Sequence, residues 1–529
     1  MSATQDQQAV FAFLSNPRTY GRDEPVVRID THAAVVFLAG PDVYKVKRAV
    51  RFPFLDFSTL AKRHAACRAE IEVNRVNAPD LYLGVAPVAC ENGTLHLGGN
   101  GRPVEWAVHL RRFDETATLD RLAENGPLGP EMTGKLAQAV GTAHRRAPIR
   151  NGEAATQALR ALLLETLDAL ITAPALFPAE QCSRFRTDLD AAFQQAEPLL
   201  LRRGAQGRVR RCHGDLHLGN LVLIDGEPVL FDAIEFDEAI ATIDTLYDLA
   251  FLVMDLCKRG LRDDANRLLN CYLAFSGDAS LEIEGFAAFP MLLALRAAIR
   301  AKVVAAQYQL DTKKSALRET ARSYFEAAAG FLEPVPPRLV AIGGLSGTGK
   351  TTLAAALAPA FGRVPGAVHL RSDVERKHLF KVPETTRLPA EAYRPEVSAA
   401  VHDRLADLAE RALRAGASVI IDATFQDHHE RQKIVAVAAR AGVPFVGVWL
   451  DAPVDLLMER VARRRGDASD ATPAVVAAQA GKSAGEIFWF RLDASQSPTH
   501  LKAAALAVIG DVSRPAGPHI RAGSPGNCG

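Results

Sequence analysis

The sequence has few cysteines, no long apolar run and almost no net charge, and each shortage excludes a class of protein. Its seven cysteines are scattered, odd in number and without a Cys-x-x-Cys pair, which argues against a disulfide framework and against a zinc site. The longest apolar run, Gly285–Leu295, ends at Arg296 and is too short to cross a bilayer. The first residues lack the basic and apolar segments of a secretory signal. We therefore expect a cytoplasmic protein without a membrane partner.

The charge balance bears on the kind of ligand. Lys and Arg total 62 and Asp and Glu total 61, which leaves a net charge of +1. Proteins that bind duplex nucleic acid usually carry a basic excess, so a nucleic-acid partner is not expected. The hydrophobic fraction of 48% and the charged fraction of 23% are typical of globular proteins. At about 150 residues per domain, the length allows roughly three to four domain-sized units.

A proline-rich segment, Glu-Pro-Val-Pro-Pro at 333–337, divides the chain. It follows a helical pattern that ends near Gly330, and a buried-strand pattern restarts immediately after it. The sequence therefore predicts an N-terminal domain over residues 1–332, a linker at 333–337 and a C-terminal domain over 338–512. The last segment, 513–529, is rich in Gly, Pro and Ser and is expected to be a disordered tail.

The N-terminal part changes character along its length. Apolar runs at 34–38 and 43–47 flank Gly40 and predict a β-hairpin, followed by a helix over about 59–77 and a strand over 104–110. Helical periodicity dominates from about 131 to 330, apart from short strands within 208–236. We expect a small sheet-rich lobe over about 20–113 and a larger helical lobe over about 114–332.

The C-terminal part alternates strand and helix. Strands are predicted at 338–342, 367–370, 418–422 and 445–450, with an amphipathic helix between the second and third that ends before Gly416. This alternation is typical of an α/β domain with a parallel, doubly wound sheet.

Residues 344–351 match the P-loop (Walker A) pattern G-x-x-x-x-G-K-[ST] in full, between a predicted strand and a predicted helix. The glycines allow backbone N–H groups to bind phosphate oxygens at a helix N-terminus. Lys350 is expected to reach the β and γ phosphates, and the Thr351 hydroxyl to ligate Mg²⁺. The predicted nucleotide-binding residues of this loop are Gly344, Ser346, Gly347, Thr348, Gly349, Lys350, Thr351 and Thr352.

Three further features complete this predicted site. Asp422 ends an apolar strand and suits an acidic residue that orients Mg²⁺, although such an aspartate can also simply begin a turn. Asp373 ends the neighbouring strand, with Arg376 one helical turn on; the competing interpretation is a helix N-cap and a solvated arginine. Arg460 and Arg464 share a helix face, which fits either a lid over the transferred phosphoryl group or a solvated basic face.

The P-loop, the Arg-Ser-Asp-x-x-Arg-Lys segment, the strand ending at Asp422 and the Arg-rich helix together resemble the P-loop kinases grouped with gluconate kinases, polynucleotide 5′-kinases and zeta-type toxins. The resemblance covers about residues 338–510. It implies that Asp373 is the catalytic base beside the acceptor, and that Arg376 contacts the substrate.

A second constellation lies at 213–232. His213-Gly214-Asp215 is followed by Asn220 five residues after the aspartate, and Asp232 comes after a turn and a short apolar strand. In kinase-like phosphotransferases, one aspartate accepts the proton of the acceptor hydroxyl, while an asparagine and a second aspartate hold Mg²⁺.

This loop resembles that of aminoglycoside phosphotransferases and choline-kinase-like enzymes, over roughly residues 20–330. The resemblance implies an α+β, bilobal, protein-kinase-like fold in which Asp215 is the base, Asn220 and Asp232 bind metal and Asp248 is scaffolding. It also implies a strand lysine held by a helix glutamate. Lys45 with Glu70 fits best, with Lys47 and Glu72 as competitors. Where kinases have a Gly-rich loop over the phosphates, the hairpin offers Gly40 alone.

The whole chain resembles bacterial proteins in which an aminoglycoside-phosphotransferase-like domain is fused to a P-loop kinase domain. We therefore expect an ATP-dependent phosphotransferase with two nucleotide sites that uses ATP and Mg²⁺ to phosphorylate a hydroxyl of a small-molecule acceptor. Two alternatives stay open. One is a nucleotide-sensing regulator with one degenerate kinase-like domain, and the other is a polynucleotide 5′-kinase-like enzyme.

Overall fold

The computed structural model describes residues 7–52, 55–310, 314–464 and 467–511. The predicted tail at 513–529 lies outside the described residues, as do Arg465 and Gly466 of the Arg-rich segment. The chain forms two compact units, of which the first ends at Leu332 and the second begins at Glu333, except that Ser280–Ala287 group with the second. Among the helices in the described ranges, none has the length and apolar character needed to span a bilayer.

The first unit begins with a six-stranded antiparallel sheet in the order β1-β2-β3-β8-β6-β7. Val35 and Phe37 of β2 and Val46 of β3 are fully buried against the first helix. They share one face of the sheet, because alternate residues of a strand point to the same side. Lys45 and Lys47 consequently share the other face. The elements are α1 (Gln8–Ser15), β1 (Val27–Asp30), β2 (Ala34–Ala39), β3 (Asp42–Lys47), β4 (Arg51–Phe52), β5 (Leu55–Asp56), α2 (Leu60–Asn74), β6 (Tyr82–Glu91), β7 (Thr94–Leu97) and β8 (Arg102–Arg111).

The predicted hairpin is present as β2 and β3, but it is not the first hairpin of the sheet. Strand β1 precedes it and pairs antiparallel with β2, from Val27 opposite Leu38 to Asp30 opposite Val35. All four residues of β1 are exposed, so the strand lacks the buried side that makes a strand visible in a sequence.

Helices dominate the rest of the first unit. Helix α8 lies at the centre of the lobe, where its residues from Thr245 to Leu256 are buried on every side. The β10–β11 hairpin pairs Leu221 with Leu230, so the segments that carry Asn220 and Asp232 lie side by side at its open end. The elements up to Phe331 are α3 (Leu119–Glu124), α4 (Gly129–Arg146), α5 (Gly152–Ile171), α6 (Ala179–Ala205), β9 (Val209–Arg211), β10 (Leu221–Ile224), β11 (Glu227–Leu230), α7 (Glu238–Ala241), β12 (Thr242–Asp244), α8 (Thr245–Lys258), α9 (Arg262–Phe275), α10 (Ala279–Gly285), α11 (Phe289–Leu310) and α12 (Ser315–Phe331), of which α10 groups with the second unit from Ser280 on.

The second unit is built on a five-stranded, fully parallel sheet in the order β14-β15-β13-β16-β17. Because parallel strands end at one edge of the sheet, the order places the residues after β13, β14 and β15 next to each other. The elements are β13 (Leu339–Gly344), α13 (Lys350–Leu357), β14 (Val368–Arg371), α14 (Ser372–Leu379), α15 (Pro395–Arg414), β15 (Val419–Asp422), α16 (His428–Ala441), β16 (Phe445–Asp451), α17 (Val454–Arg463), α18 (Pro473–Ala480), β17 (Phe490–Asp493) and α19 (Pro498–Asp511). The predicted fold class of both parts is confirmed.

Candidate active sites

The first candidate site is centred on Lys45 of β3. Its Nζ donates hydrogen bonds to Glu70 Oε1 of α2 at 3.0 Å and to Asp232 Oδ1 at 2.6 Å. Lys47 lies beside it, buried, and forms ion pairs with Glu70 and Glu235. Removal from water would raise the pKa of Asp232, but the charge of Lys45 and its hydrogen bond outweigh this and lower it. Both lysines thus connect Glu70 of α2 to the segment after β11, and Lys45 is the one that is hydrogen-bonded to Asp232.

Helix α2 positions both partners of this lysine. Glu70 is fully buried, whereas Glu72 is exposed and takes no part in the cluster. One turn after Glu70, Asn74 Oδ1 accepts the backbone N–H of Ala233 at 2.8 Å. The neighbouring Asp232 has a φ of 59°, which is unusual for a residue with a side chain, and its N–H donates to the Tyr82 hydroxyl at 3.0 Å. The strained backbone at Asp232 is thus held by specific contacts, as is common at functional sites.

The loop after β9 brings Asp215 and Asn220 together. Asn220 Nδ2 donates to the carbonyl oxygen of Asp215 at 2.9 Å and to Asp215 Oδ2 at 3.0 Å. The amide is thereby oriented, which leaves Asn220 Oδ1 as the atom that can ligate a cation. Burial would raise the pKa of Asp215, but the hydrogen bond and charge of His217 lower it to about 2. Asp215 is ionised at neutral pH.

Asp248 supports this loop from α8. It is fully buried, and its two carboxylate oxygens accept the backbone N–H groups of His213 at 3.1 Å and Gly214 at 3.0 Å. His144 and Cys212 lie close enough to form a metal cluster with Asp248, but the carboxylate is already hydrogen-bonded to the backbone. These contacts agree with the scaffolding role expected for Asp248.

The turn in the position of a kinase phosphate-covering loop joins β1 and β2 and consists of Thr31, His32 and Ala33. It contains no glycine, and Thr31 Oγ1 accepts the N–H of Ala34 at 3.0 Å. Gly40 lies in the turn of the predicted hairpin, between β2 and β3, but that hairpin is the second of the sheet rather than the first. A Cβ at Gly40 would lie 2.6 Å from the guanidinium carbon of Arg22, so this glycine accommodates an arginine.

The second candidate site is the P-loop between β13 and α13. Gly347 and Gly349 have φ values of 89° and 84°, which favour glycine. A Cβ at Gly347 would lie 2.7 Å from the carbonyl oxygen of Leu457, whereas nothing lies within 4 Å at Gly349. Lys350 Nζ donates to the carbonyl oxygen of Leu345 at 2.9 Å, and burial lowers the pKa of Lys350 to about 8.

The strand ends of the parallel sheet bring the acidic residues to this loop. Thr351 Oγ1 donates to Asp422 Oδ1 at 3.0 Å, and His369 contacts the other oxygen of Asp422. Burial raises the pKa of Asp373, and the nearby charge of Asp422 raises it further. The loop, the hydroxyl and both carboxylates thus form one cluster, as the order of the strands requires.

The three arginines predicted for this site differ in their surroundings. Arg376 is buried, stacks on Tyr393 at 4.8 Å and donates to the carbonyl oxygen of Ala392 at 2.6 Å. Arg460 donates to the carbonyl oxygen of Ala494 at 2.9 Å. Both guanidinium groups therefore donate hydrogen bonds to backbone carbonyl oxygens of their own domain.

Arg464 pairs with Asp467 at 3.3 Å, and Arg371 donates to the same carboxylate at 3.0 Å. The positive charge of Arg464 acts together with burial in lowering the pKa of Lys350, which places Arg464 within electrostatic range of the loop.

Sequence reasoning missed three residues that contact these sites. Glu235 pairs with Lys47, and its spacing of three residues from Asp232 is a signal that could have indicated it. His369 alternates with the buried residues of β14, so its side chain faces Asp422 from an adjacent strand. Gln479 accepts the N–H of Ser346 at 2.9 Å from α18, and no motif in the sequence indicates it.

Two different family models match the two units of the chain. The family model described as "Phosphotransferase enzyme family" matches residues 39–282, and the model described as "AAA domain" matches residues 339–484. Uncharacterized proteins of Mycobacterium tuberculosis and Mycobacterium bovis are each 31% identical to the chain over 479 residues, which is 87% of this chain and 91% of each relative. The chain belongs to their two-domain family. Its first unit carries the phosphotransferase domain and its second unit the P-loop kinase domain.

Solved structures resemble each part separately. A choline/ethanolamine kinase family protein from Mesorhizobium loti is 15% identical, covers 62% of this chain and 94% of that chain, and has a TM-score of 0.38. A gluconokinase from Sinorhizobium meliloti 1021 is 22% identical, covers 34% of this chain and 95% of that chain, and has a TM-score of 0.24.

Proposed function

We propose that this two-domain protein is an ATP-dependent phosphotransferase with two ATP·Mg²⁺ sites, which transfers the γ-phosphate to a hydroxyl of a small-molecule acceptor. The observation that carries the proposal is the position of Lys45 Nζ, 3.0 Å from Glu70 and 2.6 Å from Asp232. A lysine shared by a helix glutamate and a metal-binding aspartate is the arrangement that orients ATP phosphates in kinases. A surface lysine with no ligand to orient has no need of two buried or strained partners.

The residues of both sites fit Mg²⁺. In the first domain, Asn220 Oδ1 and the carboxylate of Asp232 are adjacent oxygen donors at the open end of one hairpin. In the second domain, the Thr351 hydroxyl and the Asp422 carboxylate are 3.0 Å apart. Hard oxygen ligands of this kind, few in number, suit Mg²⁺ that also binds substrate phosphates. The cation would neutralise charge on the transferred phosphoryl group.

In the phosphotransferase domain, the chain positions the nucleotide with Lys45 and the acceptor with Asp215. Asp215, whose pKa is about 2, is ionised and accepts a hydrogen bond from the acceptor hydroxyl, and it takes up the proton as the new bond forms. Such an acidic carboxylate is a weak base, so its main contribution is to orient the hydroxyl for in-line attack. Asn220 fixes the carboxylate in that orientation.

In the P-loop domain, the backbone N–H groups of residues 344–351 bind the phosphates and Lys350 contacts the β and γ phosphates. Asp373 is the base in this domain. Its pKa, raised by burial and by the charge of Asp422, makes it a stronger base than Asp215. Arg464 is the better of the two proposed lid arginines, because Arg460 already binds a backbone carbonyl oxygen. Arg376, the proposed substrate contact, also binds a backbone carbonyl oxygen.

One observation favours a regulatory first domain as the second candidate. The β1–β2 turn has no glycine, so its backbone cannot approach phosphates as closely as a Gly-rich loop does. A nucleotide-sensing domain tolerates weaker phosphate contacts than a catalytic one. Against it stands the ionised Asp215 held by Asn220, because a sensor has no use for a base beside the acceptor.

The decisive experiment is a screen of the pure, intact protein with γ-labelled ATP against a panel of small-molecule alcohols and a polynucleotide with a free 5′-hydroxyl. The proposal predicts label in at least one acceptor, and loss of that label in either Asp215→Asn or Lys350→Ala. Label that survives in both single variants and in the double variant would refute it. A polynucleotide 5′-end labelled in the same screen would instead favour the polynucleotide kinase alternative.

A further inference from the structure

Helix α18 places Gln479 against the P-loop. Gln479 Oε1 accepts a hydrogen bond from the backbone N–H of Ser346 at 2.9 Å. Ser346 is one of the loop residues whose N–H groups are the donors for phosphate oxygens in this type of loop. An N–H group that donates to the glutamine oxygen is not available to a phosphate oxygen at the same time.

Hydrogen bonds from neighbouring segments fix the backbone at Gln479. Gln426 Nε2 donates to the carbonyl oxygen of Gln479 at 2.8 Å. Arg431, which is 4% exposed, donates to the carbonyl oxygens of Phe425 at 2.7 Å and Ala484 at 2.8 Å. These bonds tie the segment after β15 to the segment after α18. They fix the backbone around Gln479, from which its side chain reaches Ser346.

Apolar packing holds the helix independently of this hydrogen bond. Val476 of α18 is fully buried in a cluster with Leu457 and Val461 of α17, and Leu345 of the loop packs against the same cluster. Replacing the Gln479 side chain removes the bond to Ser346 and leaves these contacts in place. The effect of the hydrogen bond can thus be measured separately from the position of the helix.

Two other hydrogen-bond donors of the loop have an acceptor within the loop itself. Lys350 Nζ and Thr348 Oγ1 donate to the carbonyl oxygen of Leu345, at 2.9 Å and 2.8 Å. Their acceptor belongs to the loop itself and cannot be removed by a side-chain substitution. The acceptor of Ser346 comes from a separate helix, which makes this contact adjustable without altering the loop.

We propose that Gln479 competes with the nucleotide phosphates for the Ser346 N–H group, so that displacement of this side chain sets the affinity of the P-loop for ATP·Mg²⁺. The proposal rests on the proposed function, in which the loop binds ATP·Mg²⁺. One exchanged hydrogen bond corresponds to about a two- to tenfold change in the dissociation constant. A carboxylate in the same place would accept the bond more strongly and would also repel phosphate.

The test is calorimetric titration of ATP·Mg²⁺ into the intact chain carrying Asp232→Asn, which weakens binding at the other site. Gln479→Ala should lower the dissociation constant about two- to tenfold, and Gln479→Glu should raise it by at least as much. Gln432→Ala is the matched control, because Gln432 is an exposed glutamine on helix α16 of the same domain. It should leave the affinity unchanged.

Each contrary outcome has one meaning. Weaker binding by Gln479→Ala would show that the glutamine assists the nucleotide, and unchanged binding would show that it does not compete; either result overturns the proposal. Lys350→Ala in the same background separates this from the proposed function. If Lys350→Ala abolishes binding while Gln479→Ala has no effect, the competition alone is wrong. If Lys350→Ala also has no effect, the loop is not the nucleotide site and both proposals fail.

Discussion

At the level of single residues, the two domains place their candidate bases in opposite electrostatic surroundings. Asp215 accepts hydrogen bonds from Asn220 and lies beside His217, and its pKa falls to about 2 although burial acts in the other direction. Asp373 is buried near Asp422, and both effects raise its pKa. The two domains are therefore expected to depend differently on their bases, with orientation dominant at Asp215 and proton transfer more important at Asp373.

Asp215→Asn should reduce phosphoryl transfer by the first domain on the order of 10²–10⁴-fold, because an uncharged amide orients the acceptor hydroxyl less strongly than a carboxylate and cannot take up its proton. The Kd for ATP·Mg²⁺ should change little, since Asp215 contacts the acceptor rather than the nucleotide. The measurement pairs transfer rates with calorimetry in an intact chain carrying Lys350→Ala. Asp232→Asn is the contrasting variant and should weaken nucleotide binding directly. A sensor domain would instead show no effect of Asp215→Asn on transfer.

The lowered pKa of Lys350 predicts that binding of ATP·Mg²⁺ at the P-loop depends on pH. Burial lowers its pKa to about 8, so below that pH the ammonium is charged and the affinity for ATP·Mg²⁺ is independent of this group. Above about pH 8, Lys350 must take up a proton before it can bind the phosphates as an ammonium, so the Kd for ATP·Mg²⁺ should rise by up to about tenfold per pH unit. Calorimetry of the Asp232→Asn chain between about pH 7 and about pH 9.5 tests this, with Lys350→Arg as the permanently charged control. A Kd that stays constant over the range contradicts the assignment.

At the level of elements, the P-loop depends on two glycines for different reasons. Gly347→Ala forces a left-handed backbone and also places a Cβ 2.7 Å from the carbonyl oxygen of Leu457 in α17, so it should destabilise the second domain by about 2–4 kcal/mol. Gly349→Ala meets open space and should cost only about 1–2 kcal/mol of backbone strain.

The two glycine variants can be compared by urea unfolding in a Trp106→Phe background. The sequence has three tryptophans, and the two that remain, Trp449 and Trp489, both lie in the second domain. Equal destabilisation by the two variants would show that the loop does not pack closely on α17.

The elements that could be predicted from the sequence are those with a buried side. Strands β13, β15 and β16 are almost wholly buried and were expected within about two residues of their ends, as boundaries usually are. Strands β1 and β17 were not expected, because their residues are mostly exposed and pair only at the edge of a sheet. An edge strand owes its structure to backbone pairing, which a sequence pattern does not record.

The candidate sites were predictable to the extent that motifs carry them. Asp215, Asn220 and Asp232 follow a spacing, and the P-loop follows a pattern, so the sequence alone predicts these residues as candidates. The sequence could not separate Lys45 from Lys47, because the two lie on one strand face, and the structure adds the hydrogen bond of Lys45 to Asp232, which favours Lys45. The burial of Arg376 and the contact of Gln479 with Ser346 depend on segments distant in sequence, which periodicity does not reveal.

For the whole molecule, we propose that the two domains fold separately with a boundary at residues 333–337. Apart from Ser280–Ala287, the first compact unit ends at Leu332 and the second begins at Glu333, and the linker is rich in proline. Limited proteolysis should release stable fragments of about 330 and about 190 residues, because exposed linkers are cleaved before folded domains. Lys350→Ala is a suitable control, since it should not change the pattern. Cleavage spread over the chain, with no stable fragments, would contradict separate folding.

The presence of two nucleotide sites in one chain is tested most directly by the stoichiometry of ATP·Mg²⁺ binding to the intact protein. Calorimetry should give two molecules bound per chain, because the Lys45–Asp232 cluster and the P-loop are built from different units. Asp232→Asn and Lys350→Ala should each remove or greatly weaken one of the two binding events, and the double variant should remove both. A single event that disappears with Lys350→Ala and is unaffected by Asp232→Asn would contradict nucleotide binding by the phosphotransferase domain.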